Sequence, residues 1–417
     1  MTVVTASRLI RAPERLAPAR ALGTPRLVLP GVQPGVWGLR AELDQGLFAR
    51  RDITGLIDQL AEAGLRGRGG AGFPAHVKWR SVADAAGDKV VVANGHEGEP
   101  ASAKDRWLLT HRPHLVLDGA LLAARATGAG RLVFYVSRAD TAASVTVAVA
   151  DARAAGLVPA GLRVDIHRAE HTYVAGEETA AIRSINGGPA LPLAKPPRPY
   201  ERGVDDLPTL VSNVETLAHA AWIAAFGAAE FRSVGTHTSP GTALFTLNGC
   251  ARPGVYEAPL GTSVGDLFAA AGGVPGGYRG LLMGGWFGGL LRDEVTTLSC
   301  CYDAVRAAGS GLGCASLTAF GPDVDLVAVA AELGRWFEAE SARQCGVCLN
   351  GTKAIAKTLT QVAQGDEDPK HVENLARWGT TLTGRGACAF LDGATALARS
   401  AATTLHHTRG MTDASSC

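Results

Sequence analysis

Residues 64–79 read GLRGRGGAGFPAHVKW, and within this stretch Gly67, Gly69 and Gly72 satisfy the pattern G-x-G-x-x-G. Such a run lets backbone amides approach a phosphate, because no side chains stand in the way. What precedes the loop decides the fold. In residues 52–65, DITGLIDQLAEAGL, apolar Ile53, Leu56, Ile57 and Leu60 fall at helical spacing, Asp52 can cap the start and Gly64 can end the helix. A helix leading into the glycines is the wrong context for a Rossmann dinucleotide loop, where a strand leads. A phosphate held here therefore belongs to another architecture, with Arg66, Arg68 and Lys78 as countercharges; the bland alternative is a surface loop.

Outward from the loop, DKVVVANGHEGEP (88–100), RLVFYVS (131–137) and LRVDIHRAE (162–170) read as strands, with an Ala-rich helix over 140–155. Strands alternating with helices predict a mostly parallel sheet. After about residue 235 the character changes: ALFTLNG, GVYEAPLG, TSVGDLFAAAGG and YRGLLMGGWFGGLL are short strands and one helix divided by glycines, a small α+β domain. Toward the C-terminus VDLVAVAAELGRWFEAES, LNGTKAIAKTLTQVAQG and HVENLARWGTTL have helical period and short connections, which predicts a helical bundle.

At 417 residues the chain is long enough for two or three domains. A net charge of +1 leaves no electrostatic footprint for nucleic acid or an anionic membrane. The N-terminus, with Arg8, Arg11, Glu14 and Arg15, does not read as a secretory signal, and no run of roughly eighteen apolar residues predicts a membrane span. The expected location is cytoplasmic, at most peripheral to a membrane complex and without direct insertion. Eight cysteines in a reducing compartment are not expected to form a disulfide framework, and a Cys-x-x-Cys pair there more often binds metal or does redox work.

Cys345 and Cys348 stand two residues apart in ESARQCGVCLN (340–350), and Cys388 follows in GRGACAFLDG. Thiolates select zinc or iron–sulfur clusters. Structural zinc wants four protein ligands, and only His371 can be argued as a fourth. Cys250, Cys300, Cys301, Cys314 and Cys417 lack partner spacing and read as small hydrophobes or tail. Carboxylates in turn contexts complete the candidates: Glu97 and Glu99 in NGHEGEP, and Glu177 and Glu178 in YVAGEET, follow strand-like segments where an α/β sheet presents its ligand crevice. Solvated loop acids are the plain alternative. Asn213 and Thr216 in TLVSNVETLAHAA are polar groups at a helix start, where capping is the ordinary role.

Six ordered motifs, GLRGRGGAGFPAHVKW, NGHEGEPASAKDR, YVAGEETAAIRSINGGPALPLAKPP, PTLVSNVETLA, ESARQCGVCLNGT and ACAFLDG, span about residues 46 to 400. Together they resemble the flavin-bearing, NADH-oxidising F-type subunit of respiratory complex I and its relatives in NAD-reducing hydrogenases and NAD-dependent formate dehydrogenases. The resemblance implies an N-terminal extension (1–45), an α/β FMN-binding domain (46–235), a ubiquitin-like β-grasp domain of the soluble-ligand-binding (SLBB) type (236–325) and a helical iron–sulfur domain (326–417). It implies that Gly67, Arg68, Gly69, Lys78, Asn94, Glu97, Tyr173, Gly176, Glu178, Asn213 and Thr216 line FMN. Phe73 and Lys195 would face NAD(P)H, with Glu99 and Glu177 as the catalytic carboxylates. Cys345, Cys348 and Cys388 would hold a 4Fe–4S or 3Fe–4S cluster. The implied partner is a thioredoxin-fold 2Fe–2S or ferredoxin-like electron-transfer subunit.

The departures from the family pattern are specific. Ala342 stands where a further cluster cysteine is expected, Ser81 and Arg198 where adenine-stacking rings are expected, His96 in place of an acid and Ser212 in place of an asparagine. Arg198 could stack on adenine or pair with a 2′-phosphate. The reading from sequence is an FMN oxidoreductase subunit between NAD(P)H and an iron–sulfur chain. Two alternatives stand beside it: an FMN subunit that receives electrons from a ferredoxin-like partner, its nicotinamide site lost, and a non-catalytic scaffold.

Overall fold

The computed structural model describes residues 11–28, 38–48 and 53–408. Arg8, Asp52 and Cys417 lie outside the described residues; the helix for which the sequence suggests an Asp52 cap begins at Leu56, with Gly55 as its N-cap.

A short strand, β1 (Arg20–Ala21), comes first in the chain and joins a sheet formed much later. The first complete sheet is parallel and four-stranded, built from β2 (Val90–Asn94), β3 (Arg131–Val136), β4 (Arg163–Arg168) and β5 (Thr209–Asn213) in the order β4-β3-β2-β5. Val90, Val91, Val92 and Ala93 are fully buried, as expected of a parallel strand covered on both faces. The helices Pro113–Thr127 and Val214–Phe226 pack together and share one large core with Val91, Ala93, Leu132 and Phe134; Val90, Val92, Val133 and Tyr135 face Ala181 and Ile182 on the other side. The register places Asn94 beside both Tyr135 and Asn213, so two asparagines end neighbouring strands side by side.

The glycine loop is flanked as the sequence predicts. The helix Leu56–Ala63 buries Leu56, Leu60 and Ala63, and Gly64 closes it in the left-handed region at φ 66°, as a C-terminal glycine should. Past the loop, an isolated bridge between Arg66 and Pro74 leads into the helix Ala75–Ala83. The leading element is a helix, so the Rossmann topology is absent here.

The second sheet contains β6 (Thr242–Asn248), β7 (Gly254–Pro259), β8 (Gly280–Met283), β9 (Leu290–Arg292) and β10 (Ser316–Phe320), ordered β1-β7-β6-β10-β8-β9. It is mixed: β6 and β7 form a hairpin, β10 runs parallel to β6 and β1 runs parallel to β7. The buried Glu257 carboxylate accepts from the amides of Arg26, Leu27 and Val28, which ties the N-terminal segment to this sheet.

Four helices, Leu326–Ala339, Gly346–Ala363, Pro369–Thr381 and Phe390–Thr408, form the C-terminal bundle. The last is an addition to the three stretches read from sequence. Its buried face alternates Leu391, Leu397 and Leu405 with Ala394, Ala398 and Ala401, and alanines give little apolar contrast. Rings join the bundle to the rest: Tyr173 stacks on Phe287 at 4.6 Å, and Trp286 meets Trp336 edge-on at 4.7 Å. Among the described residues no helix is long and apolar enough to cross a membrane.

Candidate functional site

Asn94 and Asn213 end their strands at the carboxyl edge of the parallel sheet, where an open α/β sheet presents its ligand crevice. Asn213 caps the helix Val214–Phe226, its side chain accepting from the Glu215 amide. The glycine loop folds over this edge, and a Cβ added at Gly69 would stand 3.2 Å from the Asn213 Cβ, so only a residue without a side chain sits comfortably there. Thr216 Oγ1 accepts from the Arg68 amide at 2.9 Å and fixes the loop to the helix start. The Arg68 guanidinium turns away, donating to the Thr242 carbonyl and the Tyr302 hydroxyl, while that hydroxyl donates to the Gly67 carbonyl. Arg68 thus contributes its backbone to the crevice and its side chain to the mixed sheet.

A charge cluster lies under the loop. Lys104 Nζ is 2.7 Å from Asp105 Oδ1 and 2.9 Å from Glu215 Oε2, with Arg68 3.9 Å from Glu215. Burial, the largest single effect, would raise the Glu215 carboxyl, but Lys104, His219 and Arg68 together hold the group down at about 2. Asp105 Oδ2 in turn accepts from Asn213 Nδ2 at 2.8 Å. Sequence reasoning did not single out these acids, although both lie inside the motifs AKDR and SNVETLA. Glu97 also faces inward, accepting from the Asp105 and Arg106 amides and the Ser102 hydroxyl at a helix start.

One wall of the crevice carries a second charge group. Glu178 receives Lys78 at 2.7 Å and Lys195 at 2.8 Å; burial would raise its carboxyl, but the two ammonium groups hold it at about 2. Glu177 caps its helix by accepting from the Thr179 and Ala180 amides and also binds Lys195 at 2.8 Å. Phe73, on the loop, is 46% exposed and presents its ring to solvent. Gly176 gives its carbonyl to Asn94 Nδ2 at 2.9 Å.

His96 occupies a distinct position. Burial pushes its imidazole down to about 4, so the ring is neutral at pH 7. Its Nε2 faces the Glu170 carbonyl at 3.0 Å, which requires the proton on Nε2 and leaves Nδ1 an acceptor. That Nδ1 is buried and without a partner among the described residues. Glu99 is turned into the protein, its carboxyl accepting from the Ala101 and Trp286 amides, and burial pushes it up to about 7. Tyr173 donates its amide to Glu340 and packs in the Phe287, Trp336 and Phe390 rings, linking the nucleotide side to the bundle. Ser81 bonds back to the Val77 carbonyl, and Arg198 is exposed with its amide on Glu201.

A flavin mononucleotide fits this crevice. Gly70, at φ 126°, has open space where a Cβ would stand; Lys78 supplies a cation; and the orphaned His96 Nδ1 can accept from a hydroxyl.

Beside the crevice lies a cavity of about 210 Å³, walled by Pro192, Leu193, Ala194, Ala342, Arg343, Gln344, Cys345, Cys348, Ala387, Cys388 and Phe390. Cys345 caps the helix Gly346–Ala363 and Cys348 lies in its first turn, while Cys388 precedes the last helix. The cavity therefore collects the three cysteines that sequence spacing picked out. Burial pushes the Cys348 and Cys388 thiols up, and neighbouring thiols push them further. They surround a volume: among the described residues no three His, Cys, Asp or Glu converge as for a single metal ion. His371 sits 2.9 Å from Asp366 and does not line the cavity, which removes it as a fourth zinc ligand. A multi-iron cluster held by thiolates fits this wall.

A family profile described as the Nuo51 FMN-binding domain matches residues 60–222, and one described as the NADH-ubiquinone oxidoreductase-F iron-sulfur binding region matches residues 328–409. The chain is 34% identical over 353 residues to an F subunit of NADH-quinone oxidoreductase in Rhizobium meliloti, covering 81% of this chain and 84% of that one. It is also 34% identical to the NADH-quinone oxidoreductase F subunit of Mycobacterium tuberculosis, covering 81% and 80%. Among solved structures it resembles NAD+-reducing NiFe-hydrogenase in the air-oxidized state, with TM-score 0.77 and 33% identity over 84% of this chain and 61% of that one. The H2-reduced state gives TM-score 0.79 and 33% identity over 88% and 65%. The chain thus spans less than two thirds of those hydrogenase chains.

Proposed function

This chain belongs to the family of NADH-quinone oxidoreductase F subunits, and from its geometry we infer how it does that family's work. It is an NADH dehydrogenase-type flavoprotein subunit that carries electrons between NADH and an iron–sulfur chain. When bound, FMN takes two electrons as a hydride and passes them on singly, and the cluster receives them one at a time.

The observation that carries the residue-level reading is a shared wall. Pro192, Leu193 and Ala194 line the cysteine cavity, and the next residue, Lys195, binds Glu177 and Glu178 in the crevice. The Thr179 hydroxyl accepts from the Leu193 amide at 2.8 Å, and the Cys388 thiol feels the charges of Glu177 and Lys195. One short segment separates the two sites, so an electron leaving the crevice meets the cavity next.

In this reading the loop Gly67–Gly69 with Asn94, Gly176, Asn213 and Thr216 forms the FMN cradle. Lys78 neutralises phosphate, with Glu178 holding its ammonium group in place. Phe73 offers a ring to the nucleotide substrate, Lys195 offers a cation, and Glu177 orients Lys195 from the helix start. Glu97 and Glu99 support the turn behind the cradle, Glu99 through Trp286. Tyr173 braces the crevice against the bundle. Cys345, Cys348 and Cys388 ligate the cluster. The mixed sheet with its helix Val264–Ala270 is the β-grasp unit, and the domains divide near residues 46, 236 and 326. The partner is an electron-transfer subunit of the thioredoxin-fold 2Fe–2S or ferredoxin-like kind, in a cytoplasmic complex.

The test is anaerobic titration of the purified protein followed by flavin absorbance. Rapid bleaching by NADH supports the assignment, and comparison with NADPH reports what Arg198 selects. Bleaching by dithionite alone would remove the nicotinamide role and leave an FMN subunit whose electron donor is a protein, the reading that the loss of rings at Ser81 and Arg198 favours.

A further inference from the structure

We propose that the cluster in this chain contains one iron that no protein side chain ligates, at the corner of the cavity where Ala342 stands. The inference rests on the cluster assignment above and concerns only how the cluster is held.

A cubane 4Fe–4S cluster ordinarily takes four cysteine thiolates, one for each iron. The cavity supplies three, and the rest of its polar wall supplies no further free donor. Ala342 faces the cavity with a methyl group. Arg343 follows in the left-handed region at φ 54°, and a guanidinium has no lone pair to give a metal. Gln344 is committed at both ends, Nε2 donating to the Pro192 carbonyl at 2.6 Å and Oε1 accepting from Arg183 at 3.2 Å. Ser341 is buried, with its hydroxyl 3.5 Å from Cys348 Sγ and accepting from the Arg343 amide, so it serves a thiol that is already a ligand.

Donors next to the cavity are turned elsewhere. The Glu177 carboxylate is divided between its helix cap and Lys195, and Glu340 gives one oxygen to the Tyr173 amide and stands outside the cavity wall. Cys314 lies against the Gly284 carbonyl in the mixed-sheet part of the chain, outside the cavity wall. The open corner is also wet: Arg343, Gln344, Gly346 and Ala387 are exposed around it. A water, hydroxide or small thiolate from solution therefore completes the fourth iron, and that iron exchanges.

A one-electron oxidant such as ferricyanide takes one electron from the 4Fe–4S(2+) state, which then releases one Fe(2+) and leaves 3Fe–4S(1+); added ferrous iron and a reductant reverse the step.

The experiment is anaerobic purification of the wild-type chain with its neighbouring subunits, counting iron and acid-labile sulfide before and after one equivalent of ferricyanide, with an electron paramagnetic resonance spectrum at each stage. The wild type should lose about one iron in four with sulfide retained, and regain it on adding ferrous iron. Ala342→Cys should retain its iron, slowing the loss by about tenfold or more. If that variant does not accumulate, Ala342→Ser supplies an oxygen donor of smaller size for the same comparison. A wild-type cluster that keeps every iron under ferricyanide, with a spectrum unchanged by Ala342→Cys, would overturn the open corner and point to a fourth protein ligand. A protein that holds neither iron nor sulfide after anaerobic reconstitution would overturn the cluster assignment itself, a different result.

Discussion

Lys104 Nζ lies 2.9 Å from Glu215 Oε2, and both side chains are 1% exposed. The pair is the centre of a buried set that also contains Asp105 and Arg68, two cations against two carboxylates. Two members reach the crevice, Asp105 by holding Asn213 and Arg68 through the loop backbone, while Glu215 takes the Leu244 amide of the mixed sheet. The floor of the crevice proposed to hold FMN is thus fixed by electrostatics below it.

Lys104→Met should leave two carboxylates facing each other without their shared cation. Removing one partner of a buried ion pair costs about 3–5 kcal/mol. The expected outcome is a thermal midpoint lowered by several degrees in the apoprotein, and a lower flavin content, because Asn213 loses its anchored Asp105. An unchanged midpoint would mean that Lys104 is dispensable to the fold.

Lys78→Ala addresses the crevice and not the fold. Its ammonium group is 39% exposed, so its pairing with Glu178 adds little stability once solvent screening is counted. In the proposed cradle its value is to FMN: a charged hydrogen bond contributes about 1.5–3 kcal/mol, roughly ten- to hundredfold in dissociation constant. Fluorescence titration of the apoprotein with FMN should show that weakening while the unfolding free energy stays within about 0.5 kcal/mol of wild type. Equal FMN affinity would remove Lys78 from the cradle.

How much of this could be read beforehand depends on what kind of signal each part leaves. The glycine loop, its flanking helices and the strands β2 to β4 are local patterns, and Gly64 ends its helix where the sequence says it should. The strand β5 is only TLVSN and runs straight into a helix whose cap is its own last residue, so the helical signal hides it. Lys104, Asp105 and Glu215 sit in motifs visible from the start, but their contact joins residues 111 apart in the chain and exists only once the two helices pack. Cys345, Cys348 and Cys388 were legible by type and spacing. Ala342 lines the same cavity, at the position where the resemblance places a further cluster cysteine.

Glu99 gives a pH dependence whose direction is fixed by its surroundings. Burial raises its carboxyl from an ordinary 4.5 to about 7, against the pull of two amide hydrogen bonds. A raised acid favours the folded state when protonated, so its contribution is full below about 4.5 and is lost as pH climbs through about 7. Glu99→Gln mimics the neutral form and should remove that loss. Thermal melts from pH 5 to 8.5 should show the variant gaining on wild type as pH rises, by about 1–2 kcal/mol at the upper end. Parallel curves for the two proteins would place the titrating group elsewhere.

Cys345→Ser separates the two redox sites. Cys345 lines the cavity at the start of the helix Gly346–Ala363, whereas the FMN cradle is built at the carboxyl edge of the parallel sheet; the wall Pro192–Lys195 stands between them. The substitution trades one thiolate for a hydroxyl in a site that has only three, and so should abolish the cluster's absorbance and paramagnetic signal. Flavin content should stay at the wild-type ratio, and NADH should still bleach the flavin in a rapid first phase. What should disappear is onward transfer: reduction of an artificial one-electron acceptor served through the cluster falls, while reduction of an acceptor that reaches the flavin directly is unchanged. Loss of flavin together with the cluster would mean that the two sites form one folding unit and that the wall between them does not insulate them.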